Sequence, residues 1–227
     1  MPATIAIDER DVLLVIDMQN DFMPGGALAV AGGDSIVPLV NRLAQNFANV
    51  VLTQDWHPPG HISFASSHGG ARPFETIGVA YGDQTLWPDH CVLGSPGAAL
   101  HKGLTIDHAI LILRKGYNVA IDSYSAFAEA DGETPTGLAG FLREKNIRRV
   151  FACGLATDYC VAWSALDARS RGFETFVIED ACRAIDAQGS LGAAWAKMEI
   201  ARVQRIESTE ITAKNRQDRR PFGSGSV

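Results

Sequence analysis

Three side chains of complementary chemistry sit just past short apolar runs in this 227-residue chain: Asp17 in VIDMQNDF, Lys115 in LRKGY and Cys160 in GLATDYC. A thiol attacks a carbonyl carbon as its thiolate, so it needs a base for its proton and a cation for the charge left behind. An aspartate and a lysine supply those two functions, and an ammonium between two anions stays charged even when buried. Cys160 also falls in the first turn of an expected helix, where free N–H groups and the dipole favour a thiolate. Taken singly, each residue has a plainer reading: a small buried hydrophobe, a loop cap, a solvated surface charge. Their joint placement at strand ends sets these three apart. Cys91, Cys153 and Cys182 keep the plain reading, Cys153 because it lies inside an apolar run.

A second group has the spacing of metal ligands. In TQDWHPPGH, Asp55 and His57 alternate along an extended segment and so face the same side, with His61 four residues beyond His57; His90 follows in LWPDHC. A mixed carboxylate and imidazole set suits zinc, iron or manganese. His68, His101 and His108 lack such neighbours. The glycine pairs at 25–26, 32–33 and 69–70 form neither GxGxxG nor GxxxxGK[ST] between a strand and a helix, which excludes a nucleotide phosphate loop.

The elements that must position these groups follow from periodicity. Continuous apolar runs at residues 12–16 (VLLVI), 50–53 (VVLT), 110–113 (ILIL), 150–153 (VFAC), 175–178 (TFVI) and 203–206 predict strands buried on both faces. Helical spacing recurs in Ile36, Val40, Leu43 and Phe47, with Asp34 placed to cap the start. Further helices are expected through Leu138, Phe141 and Leu142, over residues 158–171 ended by Gly172, and over residues 190–202. Alternating strands and helices predict a three-layer α/β/α domain with a mainly parallel, Rossmann-like sheet. Ligands of such sheets bind outside the carboxyl ends of the strands, where all the reactive residues fall. Residues 58–109 break the rhythm and read as a long binding loop or lid.

Net charge is −6, which argues against a bulk nucleic-acid binder or a polybasic membrane-surface protein. No apolar run approaches the ~20 residues of a membrane helix, and the first residues, MPATIAIDER, do not read as a signal peptide. Four cysteines without a CxxC pair predict free thiols and a cytoplasmic setting. Residues 1–214 read as a single domain and 215–227 as a polar tail.

At these residues the chain resembles the nicotinamidase/pyrazinamidase branch of the isochorismatase-like cysteine hydrolases. The resemblance is carried by VIDMQNDFMPGGALAV, TQDWHPPGHISF, LWPDHCVLGSPGA, RKGYNVAIDSYSAF and GLATDYCVAWSALDA, in that order. It implies a six-stranded parallel sheet, a catalytic triad of Asp17, Lys115 and Cys160, and hydrolysis of nicotinamide to nicotinate and ammonia in NAD salvage. Pyrazinamide, which keeps a ring nitrogen meta to its carboxamide, is implied as a second substrate. One divalent metal ion, zinc before iron or manganese, is implied on Asp55, His57 and His90, with His61 either a further ligand or a neighbour of water and substrate. Phe22 and Trp87 match residues that sandwich the pyridine ring, and Tyr124 matches a further pocket residue. Leu155-Ala156 matches a cis peptide that turns N–H groups, Ala156 among them, toward the oxyanion. A homo-oligomer is compatible with all of this. The alternatives are an amidase for another small carboxamide, a hydrolase using metal-bound water, and a non-catalytic sensor.

Overall fold

The structure, a computed structural model, describes residues 4–213. The chain forms β1 (Ile5–Ile7), β2 (Asp11–Ile16), α1 (Val37–Ala44), β3 (Asn49–Asp55), β4 (Thr76–Val79), β5 (Gly82–Thr85) and β6 (Leu111–Lys115). It continues through α2 (Leu138–Glu144), β7 (Arg149–Leu155), α3 (Ala162–Ser170), β8 (Glu174–Arg183), α4 (Ser190–Ile200), β9 (Gln204–Ile206) and β10 (Ile211–Ala213). Six of these strands make one wholly parallel sheet in the order β6-β3-β2-β7-β8-β9. The chain works outward from β2 to β3 and β6, then returns to the other side of β2 for β7, β8 and β9. Right-handed connections running in opposite directions put their helices on opposite faces, which builds the three layers. The strand order reverses between β2 and β7, and a crevice opens there at the carboxyl ends.

Burial explains the central strands. Every residue of β2 is buried, as are all but the first residues of β3 and β7. Such strands need apolar side chains on both faces, which is why their sequences run without alternation. Phe151 of β7 stacks on Phe176 of β8 at 4.4 Å and meets Phe47 edge-on at 5.3 Å. Strand β6 is different. It lies at the edge of the sheet and alternates in burial, leaving Ile112 half exposed, so the apolar run at 110–113 is not the doubly covered strand it resembles. A one-sided edge strand can still end in a buried Lys115 because its last residue turns inward.

Two helix starts also differ from expectation. Asp34 makes no capping hydrogen bond; it sits in a 3-10 turn, Gly33–Ile36, that runs directly into α1, whose first turn contains Pro38. The expected helix from residue 158 begins with a π turn, Thr157–Val161, in which the Val161 N–H donates to the Ala156 carbonyl at 3.1 Å. Residues 58–109 hold only a 3-10 turn (Ala65–Ser67) and the β4-β5 hairpin. The expected polar tail at 215–227 lies outside the described residues. Among the described residues no helix is long and apolar enough to cross a membrane, and all four cysteines are free and buried.

Gly154 is what lets β7 lie against β2. Its φ is +118°, and a Cβ there would stand 2.1 Å from the Ile16 carbonyl oxygen. Gly154→Ala is therefore expected to destabilise the fold by about 3 kcal/mol, from overpacking and left-handed strain together, read as a lowered urea midpoint.

Candidate active site

Asp17 follows β2 in a left-handed backbone conformation, φ +50°, uncommon outside glycine and held here by β3. The Thr53 hydroxyl donates to Asp17 Oδ1 at 2.5 Å and accepts from the Asp17 N–H at 3.1 Å. Lys115, the last residue of β6, reaches across β3 to the same point. Its Nζ lies 2.9 Å from Asp17 Oδ2, donates to Asp55 Oδ1 and to the Ser123 carbonyl at 2.9 Å, and stands 3.4 Å from Cys160 Sγ. All four side chains are buried. Asp17 Oδ2 receives no well-directed hydrogen bond, so it faces the ammonium as an ion pair with a lone pair still free.

The charges of this cluster follow from opposing effects. Burial alone would deprotonate Lys115, but Asp17 and Asp55 outweigh it and hold its pKa well above the usual value. Burial likewise pushes Asp55 up, yet Lys115 and then His57 bring it well below the carboxylate range. Asp17 goes the other way: burial, with Asp55 adding to it, raises its pKa against the pull of Lys115. Burial also pushes the Cys160 thiol up, and the two carboxylates add to that while Lys115 opposes it. Proton transfer from a desolvated thiol to a carboxylate of raised pKa is the chemistry this arrangement favours. Lys115 and the helix start, expected to favour the thiolate, act here against that burial. Cys160 is the fourth residue of a π turn and lies within 6 % of complete burial, where desolvation dominates.

Beside this cluster, Asp55, His57 and His90 bring one ligand atom each to within 4.8 Å of one another. The Nδ1 of His57 meets the Gly116 carbonyl at 2.8 Å and that of His90 meets the Pro88 carbonyl at 2.9 Å. Both rings therefore present Nε2, at 3.6 and 3.8 Å from Asp55 Oδ2. Those separations are too long for hydrogen bonds and suit three atoms around one ion, and backbone carbonyls on the far nitrogens orient metal-binding imidazoles in this way. The donor set fits a divalent cation. His61 groups instead with His57 and Asp122. In that second grouping Asp122 accepts from Gln84 and the Ser123 N–H, both at 2.8 Å, and His61 Nδ1 meets Ser63 Oγ at 2.7 Å, while the buried His61 Nε2 has no hydrogen-bond partner among the described residues. His61 stacks on His57 with 4.2 Å between ring centres, and burial lowers its pKa to about 4. A third grouping, Asp17, Asp55 and Cys160, already encloses the Lys115 ammonium.

A narrow cleft joins the two centres. It is lined by all four residues that the resemblance assigned to substrate, Phe22, Trp87, Tyr124 and Ala156, together with Asp55, His57, His90 and Cys160. Trp87 Nε1 donates to the Tyr124 hydroxyl at 2.9 Å, which fixes both rings. The Leu155-Ala156 peptide is cis. Leu28, Asp122, Tyr159 and Ile185 complete the wall and were not singled out in the sequence. Two positioning residues also escaped sequence reasoning. Thr53 is one; the other is Gln19, buried, whose amide donates to the Asp55 carbonyl at 2.8 Å and accepts from the Asp55 N–H at 2.8 Å. An apolar strand-end Thr and a Gln inside MQNDF look like ordinary polar residues until β2 and β3 are paired.

Fold and site together define a doubly wound α/β protein with a buried carboxylate–ammonium–thiol cluster next to a cation-binding trio. Residues 11–210 match the isochorismatase domain, and the chain belongs to that family. A nicotinamidase of Acinetobacter baylyi is 56% identical over 199 residues, 88% of this chain and 93% of the relative. The solved structure of a nicotinamidase/pyrazinamidase from Acinetobacter baumanii, also 56% identical, superposes with a TM-score of 0.89 over 89% of this chain and 98% of its own. PnC1 from L. infantum, solved in complex with nicotinate, is 40% identical with a TM-score of 0.82, covering 93% of this chain and all (100%) of its own.

Two outcomes test this geometry. Lys115→Met keeps the volume but leaves two buried carboxylates without their cation, and should destabilise the fold by about 3–5 kcal/mol in urea denaturation. At Gly116, φ +68°, an added Cβ would come 2.4 Å from the His57 ring. Gly116→Ala should weaken zinc binding by about 10–100-fold in a competition titration with a chelating dye, by misplacing that imidazole.

Proposed function

We propose that the protein is a nicotinamidase that hydrolyses nicotinamide to nicotinate and ammonia through a Cys160 thioester, with pyrazinamide as a second substrate and NAD salvage as its setting. The observation that carries the reading is the buried Lys115 ammonium shared by Asp17, Asp55 and Cys160, of which Asp55 and Cys160 line an aromatic cleft. Identity of 56% to the Acinetobacter baylyi nicotinamidase over 88% of the chain supports the same substrate. A cytoplasmic setting belongs to the proposal, supported by four free thiols, and so does the assignment of residues 1–214 to one domain.

In this mechanism the pyridine ring lies between Phe22 and Trp87, with the carboxamide carbon over Cys160. Asp17 takes the thiol proton as Sγ attacks, and Lys115 stabilises the charge on sulfur and carboxylate. The Ala156 and Cys160 N–H groups hold the tetrahedral oxyanion, where each donor is typically worth about 3 kcal/mol. Asp17 returns its proton to the departing nitrogen, the C–N bond breaks, and ammonia leaves a thioester. Water, deprotonated by Asp17, then attacks the thioester carbon; the C–S bond breaks, nicotinate departs and the thiol regains its proton. A divalent ion on Asp55, His57 and His90, zinc first by its donor set, supplies an anchor for the ring nitrogen.

Ammonia release from nicotinamide is the direct test. Cys160→Ala should lose at least about 10⁴-fold in kcat/KM, as expected when one member of a concerted nucleophilic unit is removed. Chelation should depress the wild-type rate and added zinc restore it. Retention of the rate by Cys160→Ala would transfer the chemistry to metal-bound water, and silence of the metal-loaded wild type toward nicotinamide would overturn the substrate.

A further inference from the structure

One buried carboxylate near the nucleophile takes no part in the chemistry above. Asp158 stands two residues before Cys160 in the π turn and is 6% exposed, and among the described residues no lysine, arginine or histidine pairs with it. Its oxygens are satisfied by three neutral donors, all from the segment 185–190 between β8 and α4. Oδ1 accepts from the Ile185 N–H at 3.0 Å, and Oδ2 accepts from the Asp186 N–H at 2.8 Å and the Ser190 hydroxyl at 2.5 Å. A carboxylate held by convergent donors forms stronger bonds than a neutral acceptor would.

That segment needs holding. Asp186, Gln188 and Gly189 all have left-handed φ values of 52°, 55° and 82°, two of them without glycine's freedom. Its outer residues Asp186, Gln188 and Gly189 are exposed. Ile185 is the inward contact: it packs against the core and lines the same cleft as Cys160, Ala156, Tyr159 and Leu28. A strained strap with a solvent-facing back depends on its anchor to keep its inward apolar side chain, Ile185, in place.

We propose that Asp158 is a positioning residue that latches the strap at residues 185–190, so that Ile185 forms a fixed wall of the cleft and limits the size of the ring admitted to Cys160. This deepens the proposed carboxamide hydrolysis, and its first test does not depend on that reading. The same carboxylate also ties the wall to the turn bearing the nucleophile, so wall and nucleophile move as one body.

The test compares wild type, Asp158→Asn, Ser190→Ala and Ile185→Ala, all checked for thermal midpoint. Cys160 is alkylated with iodoacetamide, a small carboxamide, and with N-phenyl iodoacetamide, and the Cys160 peptide is followed by mass. Wild type should favour the small reagent. Asp158→Asn turns one acceptor into an N–H₂ facing N–H donors; it should reduce that preference about tenfold, Ser190→Ala a few-fold, and Ile185→Ala as much as Asp158→Asn with the latch intact. In turnover, Asp158→Asn should raise KM for nicotinamide about tenfold with kcat within about threefold, and improve the relative kcat/KM of ring-methylated nicotinamides. Equal reactivity of both reagents in wild type, or unchanged selectivity in a folded Asp158→Asn, overturns the proposal. So does a fall in kcat alone, which would make Asp158 a support for the nucleophile turn only. If Asp158→Asn does not fold, unchanged selectivity in both Ser190→Ala and Ile185→Ala overturns it. If wild type does not hydrolyse nicotinamide, the substrate reading fails and the alkylation comparison still decides the latch.

Discussion

A single buried ammonium organises the site. Taking a lysine out of water costs several kcal/mol, and the structure recovers that cost only because two carboxylates converge on it. Lys115 lies between Asp17 and Asp55, donates to the Ser123 carbonyl as well, and still comes within 3.4 Å of the Cys160 sulfur. Remove the ammonium and the two carboxylates lose the cation that compensates their buried charge. The ammonium and the two carboxylates are therefore mutually dependent, and the thiol sits where any negative charge it develops already has a partner.

Asp55 joins this cluster to the cation-binding trio. One carboxylate oxygen faces Lys115 and the other faces the two histidines, so the electrostatics of the two centres share a residue. Its place is set by backbone on both sides, since Gln19 holds both its N–H and its carbonyl. The His90 loop is tied in separately. The His57 N–H donates to the Cys91 carbonyl at 3.0 Å, and Asp21 Oδ2 accepts from the Cys91 N–H at 2.7 Å. Cleft residues from segments far apart in sequence are thus positioned by rigid strand ends and by hydrogen-bonded loops, the arrangement that keeps reacting groups within a fraction of an ångström.

The parallel sheet is the reason this convergence is possible. Its strands all end on one side, and the order reverses between β2 and β7, so Asp17 and the turn bearing Cys160 flank an open crevice. Gly154 brings β7 close enough to β2 for the two to meet, and the π turn after β7 then carries Cys160 into the crevice without placing it at a free helix terminus. Burial, more than a helix dipole, governs that thiol, and it needs a neighbouring base for that reason.

The amino-acid sequence by itself determined the strand runs, the three-layer class and which polar side chains stand at the strand ends. Asp17, Lys115, Cys160, Asp55 and His57 each follow or close an apolar run, and a parallel sheet leaves strand ends nowhere else to go; His90 comes in from the loop at 58–109. Local signals failed where the outcome depends on neighbours. The run at 110–113 reads as doubly buried because hydrophobicity does not reveal which strand is at the edge, and Asp34 reads as a cap because capping depends on where the first turn closes. Only the tertiary structure decided that Thr53 and Gln19 hold the two carboxylates, that His61 turns toward Asp122 rather than Asp55, and that Asp158 grips the strap beside Ile185. Those are contacts between residues 27 or more apart in the chain for Thr53, Gln19 and Asp158. Side-chain type limits which partners are possible; pairing of distant strands and loops selects among them, because a hydrogen bond or an ion pair exists only at a distance that the fold sets.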